Sequence, residues 1–376
     1  MYRIRLIPLS ALIVILSPGT GFESAWAYPE MVRHGYVNCT SCHVSQTGGG
    51  VLTEYGRELS KEILSFTSRE EEQKFIYGLV TPPSWLTMGG DFREIYVYKN
   101  SEFAKEGRAI LMQADLEVSA QVGKTRFVAS AGYQDLKTAV TLADQLISRR
   151  HYLSYQLSDE WAVRGGRFLP AYGINTPDHV ITIKRGLGFD QGQESYNIEA
   201  SYIAEKFNIY VTGIFGRPDD LSLSKETGIA LSASRPFLLE NSKWGASYLF
   251  GSKRFQPARH IFGPFVLLGL SEKWALLSEF DFQSQGVPAN APSRFGALNY
   301  QKLSYEPMRG LWVYFTQEWS RLDFSREDTL STAYTLGVQF FPRPHFELNV
   351  AWQKLRVASV SKEYMDLAWL LLHYYL

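Results

Sequence analysis

Residues 39–43 read Cys-Thr-Ser-Cys-His, and the chain's two cysteines are both in this stretch. Two thiols three positions apart can each form a thioether with a haem vinyl group. A histidine directly after the second thiol then falls beneath the iron as proximal ligand. The spacing predicts one covalent haem c, attached through Cys39 and Cys42 and ligated by His43. The competing chemistries are a two-residue disulfide loop, a redox dithiol and half of a zinc site. Structural zinc wants four ligands, and no second Cys/His cluster exists in the sequence. A thioredoxin-like dithiol wants a βαβ context, which the strand pattern below does not offer.

The other axial position can be enumerated. Between Tyr28 and Trp85 the only further Met or His residues are Met31 and His34. Both precede the motif, and five residues reach at most about 17 Å, so His34 comes round a haem edge only tightly. His34 is the first choice for sixth ligand and Met31, with more slack, the alternative. A five-coordinate iron with His34 solvated is the third arrangement. Methionine ligation would raise the potential relative to two histidines.

The elements around the motif fit an exported protein. Arg3 and Arg5, the apolar run Leu6 to Leu16 and Ala25-Trp26-Ala27 read as a signal peptide over residues 1–27, with the mature chain starting at Tyr28. The run is shorter than the ~20 residues a membrane helix needs. Without Arg3, Arg5 and Glu23, the 38 basic and 38 acidic side chains become 36 and 37. That near-neutral balance gives no support for a nucleic-acid partner. Residues 28–84 read as a small α-helical haem-wrapping segment. Gly48-Gly49-Gly50 permits a sharp turn, and Glu54 to Ser65 has helical composition. Ser68 with Glu71 forms a capping-box pattern ahead of a helix over Glu70 to Leu79, which Thr81-Pro82-Pro83 stops. About 55 residues are few for an independent core, so the haem is expected to supply much of it.

From Trp85 onward the pattern has period two. Ile110, Met112, Ala114, Leu116, Val118, Ala120 and Val122 alternate with Gln113, Asp115, Glu117, Ser119 and Gln121. The stretches 273–285 and 345–357 alternate likewise. Sixteen strand-length segments follow, from 85–98 and 107–122 to 345–357 and 364–376. Tight connections at Gly123-Lys124, Ser158-Asp159, Glu205, Ser271-Glu272, Pro307-Met308 and Arg343-Pro344 alternate with longer polar ones, the longest being 170–192. Short turns on one side and long loops on the other mark an all-β transmembrane barrel of antiparallel strands. An even strand number puts both chain ends on the short-turn side. The high aromatic content, 22 Tyr, 23 Phe and 9 Trp without a long hydrophobic helix, agrees with that reading. The last strand alternates to Leu376, with Tyr374 and Tyr375 just before it.

With Cys39, Cys42 and His43 ahead of such a pattern, the chain resembles outer-membrane porin-like β-barrels that carry an N-terminal monohaem cytochrome c segment. The barrel part of the resemblance covers residues 85–376 and rests on pattern alone. It implies residence in the outer membrane of a Gram-negative-type bacterium, with segment 28–84 in the periplasm. Sixteen-strand porins fold their third external loop into the barrel as a constriction. Here the third long connection is 170–192, so the resemblance implies that Asp178, His179, Lys184, Arg185 and Asp190 narrow a pore; a solvated external loop is the alternative. Arg150, Arg164 and Arg167 lie on nearby strands with ambiguous facing.

The expected function is electron transfer through one periplasmic haem anchored by the barrel. Redox proteins, other cytochromes among them, would be its partners. The alternative is a solute-diffusion porin, passing small solutes, whose haem segment is a structural plug or redox sensor. No Ser-His-Asp grouping, metal cluster or phosphate loop stands out, so the chain reads as a carrier and not an enzyme. A haem peroxidase would need an open axial site and a distal acid–base pair, for which only His34 and Arg33 offer themselves. The haem expectation is tested by electrophoresis: denatured protein made with active cytochrome maturation should retain haem, and the Cys39→Ala, Cys42→Ala double variant should lose it.

Overall fold

The computed structural model describes residues 28–133, 145–178, 181–217, 226–236, 241–253, 257–286 and 293–376. The signal peptide and His179 lie outside the described residues. The strands are β1 (Leu86–Asn100), β2 (Lys105–Val122), β3 (Thr125–Tyr133), β4 (Leu146–Ile147), β5 (His151–Gln156), β6 (Trp161–Phe168), β7 (Ser195–Ile203), β8 (Asn208–Ile214) and β9 (Glu226–Pro236). The second half holds β10 (Ser242–Lys253), β11 (Arg259–Ser271), β12 (Trp274–Gln285), β13 (Arg294–Met308), β14 (Leu311–Arg321), β15 (Leu330–Arg343), β16 (Phe346–Val357) and β17 (Met365–Tyr375). Each pairs antiparallel with its neighbours in sequence, and β17 returns to β1 with Asp91 opposite Tyr375. The two-residue β4 and then β5 both pair with β3, so together they fill one place in a closed ring of sixteen.

Closure is what lets strands cross hydrocarbon, because it leaves no edge with unpaired backbone groups. The side chains sort accordingly. On β2, Gln113, Asp115, Glu117 and Ser119 are buried inside the ring while Leu116 is 62% exposed outside it. On β12, Glu279, Asp281 and Gln283 point in and Trp274, Phe280 and Phe282 point out; on β16, Glu347 and Asn349 point in and Val350 and Trp352 out. Polar inside and apolar outside is the reverse of a soluble sheet and is the arrangement of a membrane barrel. Strands β3 and β5 to β8 are 6–9 residues long, against 11–18 for the others. The connection between β6 and β7 leaves from this low side of the wall and turns inward.

Segment 28–84 is not a helical unit set beside the barrel. It enters the ring at the end of the tight turns. A 3-10 helix covers Pro29–His34, and an α-helix covers Glu54–Leu59, capped by Thr53, whose Oγ1 accepts from Gly56 N at 3.1 Å. A π turn over Ser60–Leu64 continues it. The expected helix over Glu70 to Leu79 does not form. Arg69 N bonds to Glu72 Oε2 at 2.7 Å, Glu71 has a positive φ, and only a short 3-10 turn with Ile76 and Tyr77 in the left-handed region covers Phe75–Gly78. Tertiary contacts override local propensity here. Arg343 on the barrel rim bonds Glu72, and Tyr77 packs on His345 and Tyr374.

The outward face generates a prediction. Leu336 lies mid-strand on β15 and is 54% exposed. Leu336→Arg should lower stability in lipid vesicles by about 2–4 kcal/mol, measured by denaturant unfolding, whereas Leu336→Phe should not. A neutral result for the arginine variant would mean that this face meets water.

Candidate functional site

The motif is built into a hairpin. His43 N bonds back to Cys39 O at 2.9 Å, Val44 N to Val51 O at 3.0 Å and Thr53 N to Cys42 O at 2.8 Å. Gly48, Gly49 and Gly50 close it, all with left-handed φ that other residues adopt at a cost. The helix Glu54–Leu59 then lies directly on the motif. A Cβ at Gly56 would come within 2.5 Å of Cys42 O, so only glycine allows that approach.

Cys39 and His43 share the wall of a cavity of about 260 Å³. Cys42 faces a small apolar space on the other side, shared with Met31, Leu59 and Leu64. The two cysteines are unbridged. Burial pushes both thiols up, so they are protonated. Burial and the positive charge of Arg150 push the His43 imidazole down to about 4, so the ring is neutral. Its Nδ1 and Nε2 are both buried without a hydrogen bond. The Gly50 backbone approaches the ring, but at no geometry that makes one. Among the described residues, no three His, Cys, Asp or Glu side chains converge as an ordinary metal ion would require.

The two axial candidates are placed elsewhere. His34 Nε2 accepts from Arg33 Nε at 3.3 Å and lies 3.8 Å from Glu306, away from the cavity that His43 lines. Met31 is buried in the apolar core beside Cys42. The structure therefore does not bring His34 to the His43 face.

The segment is fastened to the inner wall by buried polar contacts. Arg33 Nη2 meets Glu306 at 2.6 Å and stacks over Trp312 at 4.3 Å. Glu30 meets Lys302 at 2.7 Å, and Tyr28 Oη donates to Glu347 at 2.8 Å. Arg164, held by Glu199 at 2.7 Å, also donates to Ser45 and Thr47. Val51 N donates to Glu117, which Arg150 holds at 2.7 Å. Arg150, Arg164 and Arg167 all line the inside, which parity alone left open. Apolar docking complements these pairs. Tyr28, Met31, Val32, Leu52 and Leu64 pack on inward Phe265, Leu267, Leu277, Trp312 and Phe341.

The third long connection also folds inward. Tyr172 Oη donates to Asp281 at 2.7 Å, Ile174 N to Glu279 at 2.5 Å, and Thr182 N and Oγ1 to Glu318 at 2.6 and 2.8 Å. Asp178 lies 3.2 Å from Lys302, and with Lys184 and Asp190 it lines the cavity; Arg185 is exposed. Asn175 donates to Thr47 O at 2.5 Å, so loop and plug touch.

Neither a protein-family model nor a curated protein sequence matches the chain. Solved barrels do. Outer-membrane OmpT of Vibrio cholerae matches over 79% of this chain and 100% of its own, with TM-score 0.60 and 11% identity. OprB of Pseudomonas putida matches over 77% and 94%, with TM-score 0.61 and 10% identity. The outer membrane channel DcaP of Acinetobacter baumannii matches over 77% and 97%, with TM-score 0.57 and 11% identity. The fold of this chain is the sixteen-strand porin barrel.

Sequence reasoning missed the docking of segment 28–84. A signal was present in the inward positions that break the polar rule, such as Ala275 and Leu277 below Glu279 on β12, and Phe265 and Leu267 on β11. The docking is testable. Arg33→Met leaves Glu306 buried without its main partner, a loss of about 3–5 kcal/mol for such pairs, and should expose residues 28–84 to protease in an otherwise intact barrel. Adding Glu306→Leu should restore much of the protection. Equal protection of wild type and the single variant would show that the pair does not hold the segment.

Proposed function

We propose that the chain is an outer-membrane barrel of porin type, stoppered by its own N-terminal segment, and that this segment carries one haem c on Cys39 and Cys42 with His43 as proximal ligand. The carrying observation is the His43 ring: neutral, buried, unbonded at both nitrogens, and on a lumen cavity that Cys39 also lines. An unpartnered buried polar group costs about 1–3 kcal/mol, and a metal is the partner that a neutral imidazole takes. The two buried, unbridged thiols beside it fit thioether attachment. When bound, the haem supplies a one-electron couple. The chain's own residues shield it: Gly48–Gly50 wrap the motif, the helix at Gly56 covers Cys42, and the loop at Asn175 closes over Thr47. An electron carrier in this position would serve redox proteins, other cytochromes included, at the short-turn end, which is the periplasmic end in barrels of this kind.

A second reading has its own observation. The matched folds are porins and channels, and the cavity wall mixes Arg93, Arg149, Arg150 and Lys184 with Asp91, Asp178 and Glu194, as a solute path does. On that reading the segment is a removable plug or a redox sensor, and small solutes pass when it moves. Planar-bilayer conductance and a reduced visible spectrum from one detergent-extracted preparation separate the two. The first reading expects covalent haem and little conductance, with current rising in Arg33→Met. Colourless protein giving large steady channels would overturn it in favour of the second.

A further inference from the structure

Resting on the haem reading above, we propose that the free α-amino group of Tyr28, created when the signal peptide is cut after Ala27, is the sixth ligand of the haem iron. Tyr28 is one of three residues, with Leu52 and Tyr375, that border both the cavity holding Cys39 and His43 and the space beneath Cys42. It therefore sits against the motif from both sides. Its position is fixed with unusual completeness for a chain start. The side chain is 3% exposed. Its hydroxyl donates to Glu347 at 2.8 Å, and its ring lies edge-on to Trp312 and Phe341 at 5.6 and 5.2 Å. Pro29 restricts the residue before it to extended backbone, and Tyr28 has φ −120 and ψ 128. The new amine is thus held inside the barrel by a rigid dipeptide.

The chemistry of that amine favours a metal. A buried ammonium is costly without a paired charge, while the neutral amine offers one lone pair to an electron-pair acceptor. Coordination forms one dative bond, breaks none and moves no electron. The alternatives near the motif are occupied or displaced. His373 shares the cavity wall, but its two nitrogens are engaged by Glu347 at 2.9 Å and Asp91 at 3.0 Å. His34 is held by Arg33 and Glu306 off the cavity. Lys243 donates to Val37 O at 3.0 Å, and Met31 is packed in the apolar core.

The test uses the full-length holoprotein extracted from membranes, with mass measurement to fix its first residue. A protein grown with ¹⁵N-tyrosine should start at Tyr28, give a low-spin ferric spectrum and show a ¹⁵N hyperfine coupling from a nitrogen bound to iron in pulsed electron paramagnetic resonance. Inserting one glycine between Ala27 and Tyr28 should abolish that coupling and shift the haem to high spin. Tyr28→Phe, which keeps the amine, should stay low-spin, as should His34→Ala, Met31→Leu and Lys243→Met. A low-spin haem without ¹⁵N coupling overturns the assignment, as does a high-spin wild type or a first residue other than Tyr28. Loss of the low-spin state in one of the three side-chain variants with the coupling absent would give the role to that residue instead. Protein that holds no covalent haem at all overturns the haem reading itself, a different outcome from coloured protein with another ligand.

Discussion

Closing the strands into a ring satisfies every ladder in hydrocarbon, but it also decides where polarity goes. Lipid takes the outward positions, so acids, amides and arginines are left facing a lumen about as wide as two or three side chains. Charges such as Glu199, Arg164, Glu306 and Lys302 are 7% exposed or less. Charges so far from water are stable only when paired and hydrogen-bonded. Two internal segments complete those pairings. The N-terminal segment brings Arg33 to Glu306 and Glu30 to Lys302, and the third loop brings backbone donors to Glu279 and Glu318. Lys302 joins all three parts, meeting Glu30 of the plug and Asp178 of the loop from its place on the wall.

The two segments divide the lumen by depth. Apolar inward residues gather where they dock: Leu277, Trp312 and Phe341 under the plug, and Leu249, Ile261 and Leu298 under Tyr172, Leu187 and Phe189 of the loop. Between the docks the wall stays polar, and there the cavity with Cys39 and His43 lies. A group attached at the motif would be walled by protein and not by water. In such surroundings the charges of Arg150, Asp91 and Lys243 act at far greater strength than they would at a solvated surface.

Much of the barrel was legible because its rules are local. Period two, tight turns such as Gly123-Lys124 and Ser271-Glu272, and the even strand number need only neighbouring residues, and the long 170–192 connection stands out by length. The facing of Arg150 and Arg164 was not legible, since short strands with mixed parity leave the face undecided until partners appear. The plug was harder still. Arg33 and Glu306 are separated by most of the chain, and nothing near either residue in sequence announces the other. The failed helix over Glu70 to Leu79 has the same origin, because the capping pattern is local and the rim contact through Arg343 is not.

This difference between local and distant rules bears on assembly. The ladders of the ring form between neighbours in sequence except at the single β1–β17 seam, so the wall can build progressively. The plug cannot, because its partners run from Glu117 on β2 to Glu347 on β16. Its buried pairs exist only once the ring is nearly complete, and unpaired they would destabilise both surfaces. Tyr28 meets Glu347 on β16, next to the strand that closes the barrel on β1. The segment synthesised first is therefore among the last to reach its final contacts, and it must stay unattached to the wall until β16 and β17 are in place. A covalent group added to Cys39 and Cys42 before that moment would travel into the lumen with the segment, since the finished hairpin buries Cys42 beneath Gly56 and leaves no approach to it from outside.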